Sequence, residues 1–138
     1  MSKLLWSDDY SVHIASIDNA HKILVALVNE FSIALDIQGT VQRQLVIDAL
    51  KILSLYIQQH FASEERFLLL NNYPGLEAHK KEHSLLLQQL DQFKQRFQAN
   101  KHAFNEKMLF FLKDWLVRHI ILDDCKFGHF FLGKELVI

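Results

Sequence analysis

The chain has almost nothing that would break a helix or staple a small fold. It holds one proline, four glycines and one cysteine in 138 residues. A lone Cys125 has no intrachain partner, which excludes a disulfide scaffold and fits a reducing compartment. Scarce proline and glycine argue against a sandwich with frequent tight turns. Charge of one sign is missing too: 15 basic and 16 acidic residues leave a net charge of -1, so no general field draws nucleic acid or anionic lipid. Long apolar runs are also absent. The longest, such as Met108-Leu109-Phe110-Phe111-Leu112, fall far short of the roughly 18 residues a membrane span needs. The first residues reach Asp8 and Asp9 before a secretory hydrophobic region develops, so the expected location is the cytoplasm, without membrane insertion.

What is present is apolar residues at helical spacing. Half the residues are hydrophobic, enough for one domain spanning 1–138 with a real core. The few breakers, Gly39-Thr40, Asn71 to Gly75 and the polar stretch Ala99 to His102, divide it into four helices. Expected spans are about 18–38, 41–71, 76–98 and 104–125, after a leading arm, 1–17, with little regular structure. Steps of three and four residues give each helix a seam. The seams run Ile17, His21, Leu24, Val28, Phe31, Leu35; then Val46, Leu50, Leu53, Ile57, His60, Glu64, Phe67. The third is Leu76, His79, His83, Leu86, Leu90, Phe93, Phe97, and the looser fourth is Phe104, Met108, Phe111, Trp115, His119, Leu122. Short connections keep successive helices adjacent, so the expected fold is all-α, an antiparallel up-down-up-down four-helix bundle with an N-terminal arm. The apolar stretch Phe130 to Ile138 is expected to dock on it.

The seams contain an anomaly. His21, His60, Glu64, His79, His83 and His119 stand where the pattern calls for Leu, Ile, Val or Phe. An unpartnered buried carboxylate or imidazole costs several kcal/mol, roughly, and metal coordination satisfies both kinds together. Residues four apart lie about 40° apart around a helix, so His60 with Glu64, and His79 with His83, can point into one site. Antiparallel winding brings all the anomalous residues to one layer near one end of the bundle. In the last helix the carboxylate stays open. Asp123, four residues after His119, aligns in an ideal helix, whereas Asp124 is rotated by roughly 140° unless a local irregularity intervenes.

These residues resemble the hemerythrin family, specifically its single-domain bacterial members. The resemblance rests on Trp6 with Tyr10, Asp18-Asn19-Ala20-His21-Lys22, His60-Phe61-Ala62-Ser63-Glu64-Glu65, Tyr73-Pro74, His79-Lys80-Lys81-Glu82-His83, and Trp115-Leu116-Val117-Arg118-His119-Ile120 ending at Asp124. It implies reversible dioxygen binding at a non-haem pair of iron ions with an oxo or hydroxo bridge, for oxygen storage, delivery or buffering. The alternatives are an enzyme consuming peroxide or nitric oxide, and an oxygen or redox sensor acting through a partner. The family's spacing picks Asp124. Carried over, one iron takes His79, His83 and His119, the other His21 and His60, and Glu64 and Asp124 bridge them; dioxygen binds at the less saturated second iron. Leu24, Phe61, Trp115 and Leu116 resemble the lining of the family's oxygen pocket. Three positions depart from the family's habit, Ala20, His13 and Leu68, and none is a ligand position. His13, His102 and His129 are expected at the surface or in structural roles, and Cys125 as a small packed residue.

Overall fold

The computed structural model describes residues 3–36, 42–99 and 106–137; inside these, the side chains of residues 35, 36, 42, 99, 106–109, 111 and 119 lie outside the description. A 3-10 turn at Asp8–Tyr10 is followed by α1 (Ala15–Asp36), α2 (Gln42–Leu70) and α3 (Leu76–Ala99). The fourth rod is composite: α4 (Glu106–Trp115), a π-helical segment (Leu116–Leu122) and α5 (Asp123–Phe131) follow one another without a break. The result is an all-α four-helix bundle, in which α1 packs on α2, α2 on α3, and α1 also on α4 and the π segment. Trp115 ties α4 to α3 by donating its indole N–H to Gln89 Oε1 at 2.8 Å. Among the described residues, no helix is long and apolar enough to cross a membrane.

The core is built from the expected seams. Leu24, Val28 and Phe31 of α1 meet Val46, Leu50, Leu53 and Ile57 of α2, Leu86, Leu90, Phe93 and Phe97 of α3, and Leu112, Trp115 and Leu116 of the fourth rod. A smaller apolar cluster of Val12, Ile14, Ile17, Leu68, Leu76, Phe127 and Phe131 closes the end of the bundle near the arm. Two seam positions differ from the sequence expectation. Phe67 is only half-buried while its neighbour Leu68 is fully enclosed, and Leu122 is 43% exposed. The second difference has a clear cause. A π turn accommodates an extra residue before its hydrogen bond closes, so the inward face moves on by one position and Ile120, Ile121, Asp124 and Phe127 face the interior instead. Phe104, Met108, Phe111 and Leu35 fall outside the described side chains.

Element boundaries shift modestly. α1 begins at Ala15 rather than near residue 18, and the fourth rod runs six residues past its expected end at 125. The arm carries its 3-10 turn and is pinned at several points. Asp18 accepts from the Ser11 hydroxyl at 2.6 Å and from the Val12 N–H at 2.8 Å. Gly128 lets Val12 lie against α5; a Cβ there would sit 2.9 Å from the Val12 carbonyl oxygen. The buried Asn29 amide donates to the Leu4 carbonyl at 2.8 Å and accepts from the Leu4 N–H at 2.9 Å. At the other end, Asn71 accepts from the Val137 N–H at 2.7 Å and donates to its carbonyl at 2.9 Å. Leu136 packs against the smaller apolar cluster, so this stretch docks up to residue 137, with Ile138 outside the described residues.

Candidate metal centre

Each helix delivers its polar residues from the seam that also builds the core. α1 supplies His21, α2 supplies His60 and Glu64 one turn apart, α3 supplies His79 and His83 one turn apart, and α5 supplies Asp124. His21, His60, Glu64, His83 and Asp124 are all buried; His79 is the most accessible, its side chain 11% exposed. The side chain of His119 lies outside the described residues, although its backbone belongs to the π segment directly before α5.

Two carboxylates organise the cluster. Glu64 Oε1 lies 2.7 Å from His79 Nε2 and 3.1 Å from His83 Nε2, while its Oε2 lies 3.1 Å from His60 Nε2 and 3.9 Å from His21 Nε2. Asp124 reaches both sides as well, with Oδ2 2.9 Å from His21 Nε2 and Oδ1 3.1 Å from His79 Nε2. Candidate ligand atoms therefore fall into two overlapping quartets, His21-His60-Glu64-Asp124 and Glu64-His79-His83-Asp124, each within 4.8 Å. Both quartets share the two carboxylates. The neighbouring Asp123 turns outward, its side chain 27% exposed and 3.7 Å from Lys126 Nζ. The irregularity left open by spacing is thus the π segment, which swings Asp124 inward in place of Asp123.

The electrostatics describe two buried carboxylates held among imidazoles. Burial and the charge of Glu64 push the Asp124 carboxyl above its ordinary value, despite its contacts with His21 and His79. Burial works against Glu64 ionising too, but the imidazoles of His60, His79 and His83 hold it well below the usual carboxylate range. Burial disfavours a charged imidazole at His79, yet Asp124 and Glu64 overcome this and push it up to about 10; the same carboxylates raise His60 against its burial. Protons alone leave the cluster incompletely satisfied. His60 Nε2 and Glu64 Oε2 are close but not aligned for a hydrogen bond, and with His21 Nδ1 they are buried polar atoms that lack a partner among the described residues. Unsatisfied imidazole nitrogen and carboxylate oxygen aimed at a common centre are the donor set of a borderline transition metal, so the residues present fit a pair of such ions.

The surroundings are apolar on one side and open on the other. Leu24 and Phe61 lie within a turn of His21 and His60, and Leu24, Phe61, Trp115 and Leu116 are all at most 3% exposed. A cleft of about 380 Å³ lined by Tyr73, Gly75, Ala78, Glu82, Asp123 and Lys126 opens at His79. Sequence reasoning did not single out Glu65, which contacts His83 Nδ1 at 2.8 Å; its position directly after Glu64 reads as a solvated helix face. Cys125 packs its thiol near the carbonyls of Tyr10, Ser11 and Ile121, and burial with the charges of Asp124 and Asp18 pushes that thiol up. His129 is exposed, as is His13, which takes φ 60; His102 lies outside the described residues.

Known proteins resemble this chain over most of its length. A bacteriohemerythrin of Stenotrophomonas maltophilia (strain R551-3) is 32% identical over 124 residues, spanning 90% of this chain and 78% of its own. That of Methylococcus capsulatus (strain Bath) is 29% identical over 129 residues, spanning 93% and 96%. A crystal structure of wild-type hemerythrin superposes with a TM-score of 0.80 at 26% identity, covering 93% of this chain and 97% of that one. Residues 12–127 match the family described as the hemerythrin HHE cation binding domain, a span that runs from the pinned arm through every residue of the cluster, and the chain belongs to that family.

Proposed function

We propose that the protein binds dioxygen reversibly at a non-haem di-iron centre and serves in oxygen storage, delivery or buffering. The observation that carries this reading is the pair of overlapping donor quartets sharing Glu64 and Asp124. Two cations bridged by two carboxylates is the arrangement such sharing serves. His79, His83 and His119 would hold one iron, His21 and His60 the other, and Glu64 and Asp124 would be shared between them. When bound, the iron pair would supply two electrons to dioxygen, with room for it on the His21/His60 side, where the protein gives fewer nitrogens.

The chain's own residues set the conditions. Five neutral imidazoles against two carboxylates keep the cluster less anionic than carboxylate-rich di-iron sites, which favours reversible binding over oxidation of other molecules. Glu64 and Asp124 balance the cationic charge from a buried position, so neither is lost to water. Leu24, Phe61, Trp115 and Leu116 form the dry lining of the oxygen pocket and keep solvent protons away from the reacting pair. This is a carrier rather than an enzyme, and it requires no second substrate. A net charge of -1 offers nucleic acid no attraction, and the lone cysteine suits the cytoplasm.

Iron-supplied protein should contain about two irons per chain, as two bridged sites require. Reduced anaerobically, exposed to oxygen and then degassed, it should return to its deoxy spectrum over repeated cycles. Rapid irreversible oxidation, or turnover with peroxide or nitric oxide, would replace the carrier reading with an enzymatic one. A reproducible value near one iron would sink the bridged pair.

A further inference from the structure

His83 is held at both of its ring nitrogens. Its Nε2 lies 3.1 Å from Glu64, and its Nδ1 donates to Glu65 Oε2 at 2.8 Å, so two consecutive carboxylates of α2 take its two nitrogens. Phe61, one turn earlier on α2, lies flat against the ring, with centroids 3.8 Å apart and planes 4° from parallel. The ring can neither tilt nor flip without losing both contacts. His21, in the other quartet, is the opposite case: it is completely buried and, among the described residues, its Nδ1 has no partner.

That contrast has chemical weight. An imidazole whose Nδ1–H is accepted by a carboxylate is fixed in the tautomer that leaves Nε2 free to ligate, and the carboxylate makes that nitrogen a stronger donor. An imidazole with an unpaired Nδ1–H gains neither advantage and carries a desolvation cost. We infer that Glu65 is a positioning residue that backs His83 and makes the two metals unequally held, the His79/His83 ion firmly and the His21/His60 ion loosely. The inference rests on the di-iron reading and deepens it. It gives the lasting anchor to the saturated side and leaves the more exchangeable ion on the side with the open position. Glu65 itself never touches the metal or the oxygen. Its carboxylate is about a quarter exposed, so its removal leaves no large void in the core.

The test is metal release from the fully loaded protein to an excess of chelator, with Glu65→Ala and Glu65→Gln beside the wild type. The wild type should release its metals in two phases. Glu65→Ala should accelerate the slow phase by roughly ten- to a hundredfold and leave the fast phase unchanged. Glu65→Gln keeps an acceptor oxygen without the charge, so its slow phase should fall between the two. Zinc-loaded, diamagnetic protein supplies a readout that mere structural support would not move. The His83 Nδ1–H should give a slowly exchanging, downfield proton resonance in the wild type, kept in Glu65→Gln and lost in Glu65→Ala. Single-phase release from a wild type holding two metals, or equal acceleration of both phases, overturns the inference alone. A wild type that retains no metal overturns the proposed function as well, so the two failures are told apart.

Discussion

Replacing Asp124 and Asp123 one at a time separates a cluster residue from its neighbour. Asp124 is 2% exposed and contacts His21 at 2.9 Å and His79 at 3.1 Å. In the metal-free protein, Asp124→Ala has two opposing effects. It strands His21 Nε2, on a ring whose Nδ1 is already unpartnered, at about 1–3 kcal/mol for a buried unsatisfied group. It also removes a carboxyl that burial and the charge of Glu64 disfavour in its ionised form, which offsets part of that cost. Metal-free stability should therefore fall by no more than about 2 kcal/mol. Metal retention has no such offset, because both ions lose a bond and the charge that balances them. The loss should exceed the roughly 10–100-fold that removal of a supporting outer contact costs. Asp123→Ala removes only a partly exposed contact with Lys126 at 3.7 Å, worth about 0–1 kcal/mol. The assays are thermal melting of the metal-free chains, iron per chain after desalting, and visible absorption of the oxygenated protein. Asp124→Ala should fold, lose most of its iron and be colourless, whereas Asp123→Ala should match the wild type. A colourless Asp123→Ala beside a coloured Asp124→Ala would refute the reasoning.

Two further predictions concern the arm and the protons. Gly128→Ala places a methyl group 2.9 Å from the Val12 carbonyl oxygen and 3.0 Å from its Cα, so the arm must shift off α5. Denaturant unfolding should register a loss of about 1–3 kcal/mol from this overpacking; the gain of about 0.5–1 kcal/mol expected for an unobstructed helical alanine would show that the arm does not lie there. His79 is pushed up to about 10 in the metal-free chain and must be neutral to bind a cation, so loading at pH 8 should release protons, measurable by pH-stat titration. The sign for stability follows. The contribution of His79 to the metal-free fold is fully present below its unfolded value of 6.5 and is lost as pH rises through about 10. Loading at pH 8 without proton release would show that His79 is already neutral there.

The sequence revealed most where a residue broke its own pattern. His21, His60, Glu64, His79 and His83 stand on seams that otherwise bury Leu, Ile, Val and Phe, and the structure gathers them into one cluster. Periodicity failed where the helix itself changed pitch. A reading at 100° per residue put Leu122 inside and favoured Asp123, but the π segment at Leu116–Leu122 reverses both. Nothing in Leu-Val-Arg-His-Ile-Ile-Leu announces that extra residue; only the resemblance carried it, through Asp124. Glu65 escaped notice for a different reason. An acidic residue beside another on a helix reads as solvent-facing until the facing helix is known, and its contact to His83 spans two elements. The grips of Asn29 on Leu4 and of Asn71 on Val137 are long-range in the same sense.

Those two asparagines also make both ends of the chain depend on a single side-chain amide each. Each side-chain amide presents one donor and one acceptor to the backbone of a distant residue, as a neighbouring β-strand would, so the identity of the gripped side chain hardly matters. Asparagine is among the thermally labile residues, and its hydrolysis to aspartate replaces the NH₂ with a second oxygen. That oxygen faces the Leu4 carbonyl at Asn29 and the Phe67 and Val137 carbonyls at Asn71, turning a hydrogen bond into an opposition of acceptors. One unit of mass at either position is thus enough to loosen an end of the chain while every residue of the metal cluster stays intact.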